Sequence, residues 1–474
     1  MLLRRIFDDK LAQASYLVAC EHARVAMVVD PNRNIAQYID AASRDNVRIT
    51  HVTETHIHAD FISGSRDLAN ATGAQLLLSD AGPNDWKYAF AHDANAELLT
   101  DGSSFLVGDV RVEVVHTPGH TPEHITFLLT DTATAQVPMG AITGDFIFVG
   151  DVGRPDLLER AAGQSGTMKA GARQLFRSIQ AFKTYPDYLQ LWPGHGAGSA
   201  CGKALGAMPQ STLGYEKIFN WALAETDEAA FVQKVLAGQP EPPAYFATMK
   251  RLNRDGPPRP PTSIPKIAAV MEVAKALNEG AIVVDTRLIS AFTAVHSRGT
   301  TSIPRNKSFL TWSGALLPYD RPAFFIGASD VASRRSLALD LSLIGIDSIA
   351  GVLPAEALDD LIAVTGAAQI ADAAQETAES MRNATTIDVR SRAEYDHGHI
   401  PFALNIPLTE LQSRLDEVPN GNILVQCQGG SRSVIAASIL QREGRSGVMN
   451  LPGGFAEWER AGHPVERGLK TTGV

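Results

Sequence analysis

Two stretches in the C-terminal half of the chain repeat one another, and this restricts what that half can fold into more than any other feature does. Residues 281–287 (AIVVDTR) and 385–390 (TTIDVR) are apolar runs ending in Asp-x-Arg. The intervals from Asp285 to Pro304 and from Asp388 to Pro407 are both 19 residues, and each finishes in Ile-Pro. A second apolar run follows in each copy, AFFIG at 323–327 and ILVQC at 423–427, then a Ser/Arg-containing loop and a helical pattern. Strand, loop, strand, loop and helix at matched spacing predict two copies of one α/β domain. The copies differ at one chemically decisive place: Cys427 ends the second run where Gly327 ends the first.

A chain of 474 residues is too long for one core, so further domains precede the repeat. Eight prolines fall between residues 240 and 265, in PEPP and GPPRPP clusters around YFATMKRLN. Proline fixes φ and removes a donor, so the clusters read as extended and the segment between them as a short helix. The predicted divisions are 1–240, a proline-rich linker at 241–265, and the two copies at 266–366 and 367–474. The net charge of −10 excludes a surface built to neutralise a phosphate backbone, hence nucleic acid as a partner. The start, MLLRRIFDDK, has no apolar stretch of signal-peptide length, and no apolar run is long enough for a membrane span. Three widely separated cysteines, Cys20, Cys201 and Cys427, argue against a disulfide framework and for a reducing cytoplasm.

The N-terminal part alternates short β-rich runs with helical stretches, and His, Asp and Gly cluster where those runs end. Four segments carry the pattern: THIHADF at 55–61, HTPGHT at 116–121, TGD at 143–145 and PGHG at 193–196. Imidazole and carboxylate are ligands for zinc or iron, and strand-end loops can converge on one point. A single His-x-His is weak, but four such segments in order predict a metal site.

The order and wording resemble the metallo-β-lactamase superfamily, whose signature is HxHxDH, a His in PGHT, a bridging Asp and a late His. Phe61 stands where HxHxDH ends in the histidine of a second metal site, and phenylalanine cannot ligate a metal. The persulfide dioxygenase branch manages with one metal, and GDVGRPD at 150–156 resembles it further. That resemblance implies a mononuclear non-haem Fe(II) held by His56, His120 and Asp145. His58, Asp60 and His195 match superfamily ligand positions and are expected to orient ligands or bound water, or to be relics. Arg154 matches an arginine that helps bind the thiol carrier, a cationic fork suited to a glutathione carboxylate or a coenzyme A phosphate. After His195 the chain reads GAGSACGKALG, unlike glutathione-specific members and, with the later TLGYEK, closer to multidomain bacterial fusions. Cys201 within it is read as a buried or helix-capping thiol, and His116 and His124 as strand or core histidines.

In ILVQCQGGSRS, Cys427 ends a strand and a Gly-rich loop leads into a helix. Loop N–H groups and the helix dipole converge on the sulfur, and Arg432 adds a cation; together they suit a thiolate, persulfide or sulfite. The segment resembles rhodanese, as do IDVRSRAEYDHGHIPFALNIPL before it and NLPGGFAEW after it. The six-residue span from Cys427 to Arg432 matches sulfur transferases, whereas the related phosphatases need one residue more. The resemblance makes Cys427 and Arg432 catalytic, with Gln428, Gly429, Gly430 and Ser431 holding the sulfur substrate. Asp388, Arg390, His397 and His399 are expected to be structural, and the copy with Gly327 an inactive spacer or interface.

The expected architecture is α/β: a metallo-β-lactamase αββα sandwich followed by two rhodanese-like α/β domains. The expected activity is oxidation of a glutathione or coenzyme A persulfide by O2 to sulfite, coupled to sulfur transfer giving thiosulfate, in a homo-oligomer by family precedent. A glyoxalase-II-like zinc thioester hydrolase and a non-oxidising sulfur carrier or persulfide sensor are the rival readings.

Overall fold

The computed structural model describes residues 1–160, 166–199, 201–202, 205–239, 241–374 and 384–467. Its contacts divide the chain into two compact units, residues 1–261 with 342–345, and residues 262–341 with 346–474.

In the first unit, Leu2–Asp8, Gln13–Cys20, Val25–Val29, Arg48–Thr53, Gln75–Ser79 and Glu97–Leu99 (β1 to β6) lie in chain order in one sheet. Ser104–Val107, Val110–His116, Ile125–Asp131, Gly140–Gly144, Gln190–Pro193 and Ser211–Thr212 (β7 to β12) form a second sheet, also in chain order. Alternation along the strands shows how the layers stack, because successive side chains leave opposite faces. In β2, Ala14, Tyr16 and Val18 meet Phe127, Leu129 and Ile142 of the other sheet. Leu17 and Ala19 of the same strand face the other way, onto a core with Tyr38, Ala41 and Leu68 from the helices Ala36–Arg44 and Ser65–Thr72. Leu128 of β9 likewise faces Leu175, Ile179 and Phe182 of the helix Thr167–Phe182. Helix, sheet, sheet, helix is the αββα sandwich the sequence predicts.

The proline-rich stretch is part of this unit. It forms the predicted helix, Phe246–Asp255, but the helix is no free linker. Asn253 is buried, donates through Nδ2 to the carbonyls of His58 (2.8 Å) and Phe61 (2.7 Å), and accepts at Oδ1 from the Ser63 N–H (2.9 Å). Lys250 lies over the Trp86 ring, 3.2 Å from its centroid.

The second unit carries the repeat. Val283–Asp285, His296–Ser297, Thr301–Ser302, Ala323–Ile326 and Ile349–Leu353 (β13 to β17) are followed by Ala367–Ala368, Ala371–Asp372, Thr385–Asp388, Leu404–Asn405, Ile423–Gln426 and Val448–Asn450 (β18 to β23). One sheet has the order β15-β13-β16-β17 and the other β19-β23-β22-β20-β21. Aligning β13 with β20, β15 with β21, β16 with β22 and β17 with β23 gives the same parallel order twice. The short strand β18, which the sequence placed at the start of the second copy, pairs instead with β14 of the first. Among the described residues no helix is long and apolar enough to cross a membrane.

Candidate metal centre and cysteine loop

Each segment of the metal constellation leaves the C-terminal end of a strand: β4 for 55–61, β8 for 116–121, β10 for Asp145 and β11 for 194–195. Their side chains converge. One ligand atom each from His56, His120 and Asp145 lies within 4.8 Å of the other two, and all three residues are buried. His120 Nε2 is 3.5 Å and His56 Nε2 3.9 Å from the same oxygen, Oδ2 of Asp145.

Hydrogen bonds on the far side of each ring aim these nitrogens. His56 Nδ1 is 2.9 Å from Thr55 Oγ1, which donates to Asp30 Oδ2 (3.0 Å), and His120 Nδ1 donates to the carbonyl of Arg154 (3.1 Å). Such outer partners fix the ring and its tautomer. Burial, together with the neighbouring imidazoles, pushes His56 well below the usual histidine range; burial also lowers His120. Both are thereby kept as neutral imidazoles, the form that ligates. Both carboxylate oxygens of Asp145 are buried with no hydrogen-bond partner. An ionised carboxylate so placed is costly unless a cation sits against it, so these residues fit a metal.

His58 does not join the three. Its Nε2 is 3.1 Å from Asp30 Oδ1. Burial pushes this ring down, but the charge and hydrogen bond of Asp30, with Glu54 and Asp60 beside it, outweigh burial and raise it to about 9. Phe61, fully buried, packs against it with the rings tilted and centroids 4.4 Å apart. Asp60 and His195 instead form a second group with Cys201, their ligand atoms again within 4.8 Å of one another. His195 Nε2 stands between Asp60 Oδ2 (3.3 Å) and Asp145 Oδ1 (3.4 Å), and its Nδ1 donates to the Ala12 carbonyl (3.0 Å). Cys201 is buried, and burial with the nearby Asp60 and Asp145 charges raises its thiol well above the usual range.

Arg154 is fully buried, and its Nε and Nη2 pair with Asp156 Oδ1 (2.9 Å) and Oδ2 (2.7 Å). The fork expected to meet a carrier's carboxylate therefore meets a carboxylate of its own chain, and the residue bears on the centre through the carbonyl that holds His120. Two residues outside the motifs are also drawn in. Asp30 has φ 53, a left-handed backbone uncommon outside glycine, and its Oδ1 also accepts from the Thr55 N–H (2.6 Å). His124, read as a core histidine, is buried and accepts at Nε2 from the Asp145 N–H (3.1 Å). Glycine is required at two close approaches: a Cβ on Gly153 would lie 1.8 Å from the Asp145 carbonyl oxygen, and one on Gly194 2.8 Å from Asp145 Oδ1. A cavity of about 480 Å³, lined in part by Trp86, His116, Pro118, Pro122 and Gln174, borders the loop that carries His120.

Cys427 sits buried at the end of β22. The Gly430 N–H donates to its sulfur (3.1 Å), and Ser433 Oγ lies 3.5 Å away. Gly430, with φ 93, turns the chain into the helix Ser431–Arg442. Gln428 accepts at Oε1 from Arg390 Nη1 (3.0 Å), whose Nη2 is paired with Asp388 Oδ2 (2.7 Å). Gly429 and Ser431 complete the loop, and Ser431 is exposed. His399 stacks on Tyr395 with centroids 3.7 Å apart, while His397 is exposed. From NLPGGFAEW, the Phe455 N–H donates to the Cys427 carbonyl (2.7 Å), and Gly454 has φ 56 with room for no Cβ, which would lie 2.1 Å from that oxygen.

Arg432 is held in a bidentate pair by Glu394 (2.8 and 2.7 Å). Burial pushes the Glu394 carboxyl up, but Arg432 and the Ser391 donors outweigh it and hold it at about 2. The sequence signal for Glu394 was the capping box S-R-A-E, which the structure forms at the helix Arg392–His397. In the first repeat, Gly327 has φ 130, and a Cβ there would lie 2.6 Å from Thr286 Oγ1.

The model of the metallo-beta-lactamase superfamily matches residues 8–195, and that of the rhodanese-like domain matches residues 371–461. The crystal structure of a metallo-beta-lactamase from Staphylococcus aureus subsp. aureus COL is 44% identical with a TM-score of 0.69, over 74% of this chain and 99% of that one. The mitochondrial persulfide dioxygenase ETHE1 of Bos taurus is 29% identical over 200 residues, 41% of this chain and 68% of the relative. A beta-lactamase hydrolase-like protein of Xylella fastidiosa strain 9a5c is 27% identical over 250 residues, 48% of this chain; the chain spans about half of that relative, 53%. With two buried histidines and a carboxylate gathered at the strand ends of an αββα sandwich, and a cysteine loop in the matched C-terminal segment, the chain belongs to the metallo-beta-lactamase superfamily, has persulfide dioxygenase homologues, and carries a C-terminal rhodanese-like domain.

Proposed function

We propose that the chain oxidises a low-molecular-weight thiol persulfide to sulfite at an iron held by His56, His120 and Asp145, and transfers sulfane sulfur through Cys427 to give thiosulfate. The observation that carries this reading is the set of two neutral imidazoles and one carboxylate with both oxygens unpartnered, beside a phenylalanine where the superfamily signature has a further ligand. When bound to such a set, Fe(II) supplies redox chemistry and open positions for O2 and a thiolate, which zinc does not. The balance is R–S–SH + O2 + H2O giving R–SH + sulfite + 2 H⁺. At the second site, the Cys427 thiolate attacks the outer sulfur of a second R–S–SH, whose S–S bond breaks to release the carrier thiol. Sulfite then attacks the outer sulfur of the Cys427 persulfide; that S–S bond breaks, thiosulfate leaves and the thiolate is regenerated.

The residues of the chain contribute orientation and charge. Thr55 and the Arg154 carbonyl hold the two rings, and His124 fixes the backbone of Asp145. Gly430 and Ser433 place donors at the Cys427 sulfur, where negative charge resides before and after transfer. Glutathione and coenzyme A persulfides are the carriers to test.

The test is oxygen uptake by iron-loaded protein given each persulfide, with metal content measured on the same sample. Uptake that needs substrate and scales with iron is the expected result; none from iron-loaded protein would overturn the dioxygenase reading. The group Asp60, His195 and Cys201 favours a second reading, a two-metal thioester hydrolase. That reading requires two zinc ions per chain and thioester cleavage without oxygen, and the same metal assay separates the two.

A further inference from the structure

We infer that the repeat lacking a nucleophile is a positioning element for Cys427, acting through the helix Ser431–Arg442. This rests on the reading of Cys427 as the sulfur-carrying thiol.

A helix packed on one sheet buries one stripe and leaves the other face in water. Here every residue from Ser433 to Leu440 is buried, more than two turns on all sides. One face packs on the sheet of its own repeat, and elements of the first repeat cover another. The N–H of Ser302 in the short edge strand β15 donates to Ser438 Oγ (3.0 Å), while that hydroxyl donates to the Ile435 carbonyl of its own helix (2.7 Å). Both partners are buried, so neither is replaced by solvent if the other is lost. One turn on, Arg442 Nη1 donates to Thr301 Oγ1 (3.0 Å). Between them, His296 Nε2 lies 3.1 Å from Gln441 Oε1, and Gln441 Nε2 donates to the Gln369 carbonyl (2.9 Å).

The first turn of this helix meets the sulfur. Gly430 immediately precedes it, and Ser433 in the first turn sits at 3.5 Å from Sγ and 2.6 Å from Asn450 Oδ1. A helix is stiff over this length, so fixing its last turns fixes where the first turn points. The ties at Ser438, Gln441 and Arg442 thus set the distance from the loop donors to Cys427, and thiolate stabilisation by such donors is steep in distance. The first repeat supplies that anchorage without a cysteine of its own, which gives a domain that cannot carry sulfur a chemical reason to be present.

The experiment uses the full chain with Ser438→Ala and, separately, Gln441→Ala. Alkylation of Cys427 by iodoacetamide is followed by peptide mass across pH 5 to 9, with amide hydrogen exchange of residues 431–442 and oxygen uptake on the same preparations. Alkylation reports the thiol itself, so its outcome stands whether or not sulfur transfer proves to be the activity. The expected result is a pH–rate midpoint moved upward, with alkylation near neutrality slowed roughly 3- to 10-fold, helix protection reduced and oxygen uptake unchanged. An unmoved midpoint in both variants overturns the inference, whether helix protection falls or holds. If Ser438→Ala does not fold, Gln441→Ala, at the less buried end of the helix, decides alone.

Discussion

Asp145 is the residue on which the first site turns, because both of its oxygens are buried without a donor while three imidazole nitrogens stand within 3.9 Å of one or the other. Asp145→Asn keeps the shape and removes the charge, so bound metal is expected to fall at least 10-fold, read by elemental analysis of the purified protein. Cys427→Ser is expected to stop thiosulfate formation while oxygen uptake persists; loss of both in folded, iron-loaded protein would mean the two activities share one site. Glu394 gives a pH signature. Its carboxyl is held at about 2 in the folded chain, below its ordinary value, so its contribution to stability is complete above the ordinary carboxylate range and is lost as pH falls toward 2. Denaturant titrations between pH 5 and 2 are expected to show a shallower pH dependence for Glu394→Gln than for the native chain, together with lower stability at pH 7. The segments that converge at each site were legible in the sequence because glycine, proline and paired histidines announce them, whereas the choice of His56, His120 and Asp145 among the candidates was implied by the resemblance. Asp30, His124 and Glu394 were not singled out as functional, since an aspartate after a strand or a glutamate in a first turn has many ordinary uses, and only the fold shows which atom it faces.

At the level of elements, the helix Phe246–Asp255 shows how a reading correct in local structure can miss a role. Proline clusters on either side correctly predicted a short helix, yet Asn253 bonds three backbone groups of the 58–63 segment. A side-chain amide meeting a distant turn leaves no periodicity or spacing to read. Asn253→Ala is expected to cost about 2 to 4 kcal/mol in thermal or denaturant unfolding of the first unit, since three buried backbone groups lose their partner, and to lower metal retention. The glycines beside the sites are stricter. Gly454→Ala must move the Cys427 carbonyl, because the added Cβ would meet it at 2.1 Å from a left-handed backbone. Sulfur transfer is expected to fall by an order of magnitude or more while oxygen uptake is retained, measured as thiosulfate formed per oxygen consumed.

For the molecule as a whole, the repeat and the alternating runs made α/β domains legible, because strand patterns and turn residues are local, while the αββα layering of the first unit was what the resemblance implied. Less legible was where one repeat stops, since β18 pairs backward with β14 through a bridge that only tertiary contact defines. The chain-sequential order of the sandwich bears on how the protein is made. Sheet neighbours here are also neighbours in sequence, so each strand adds to a sheet edge already made, although parallel pairs such as β10 with β11 must first close a long crossover. The first sheet is complete at Leu99, when only His56 of the three proposed ligands has been synthesised. His120 and Asp145 come with the second sheet, so an ion has no three-donor site to enter until most of that sheet has left the ribosome. Metal selection is thereby deferred until the surrounding structure can impose its geometry, which guards a nascent chain against capturing whichever ion binds loose histidines most tightly.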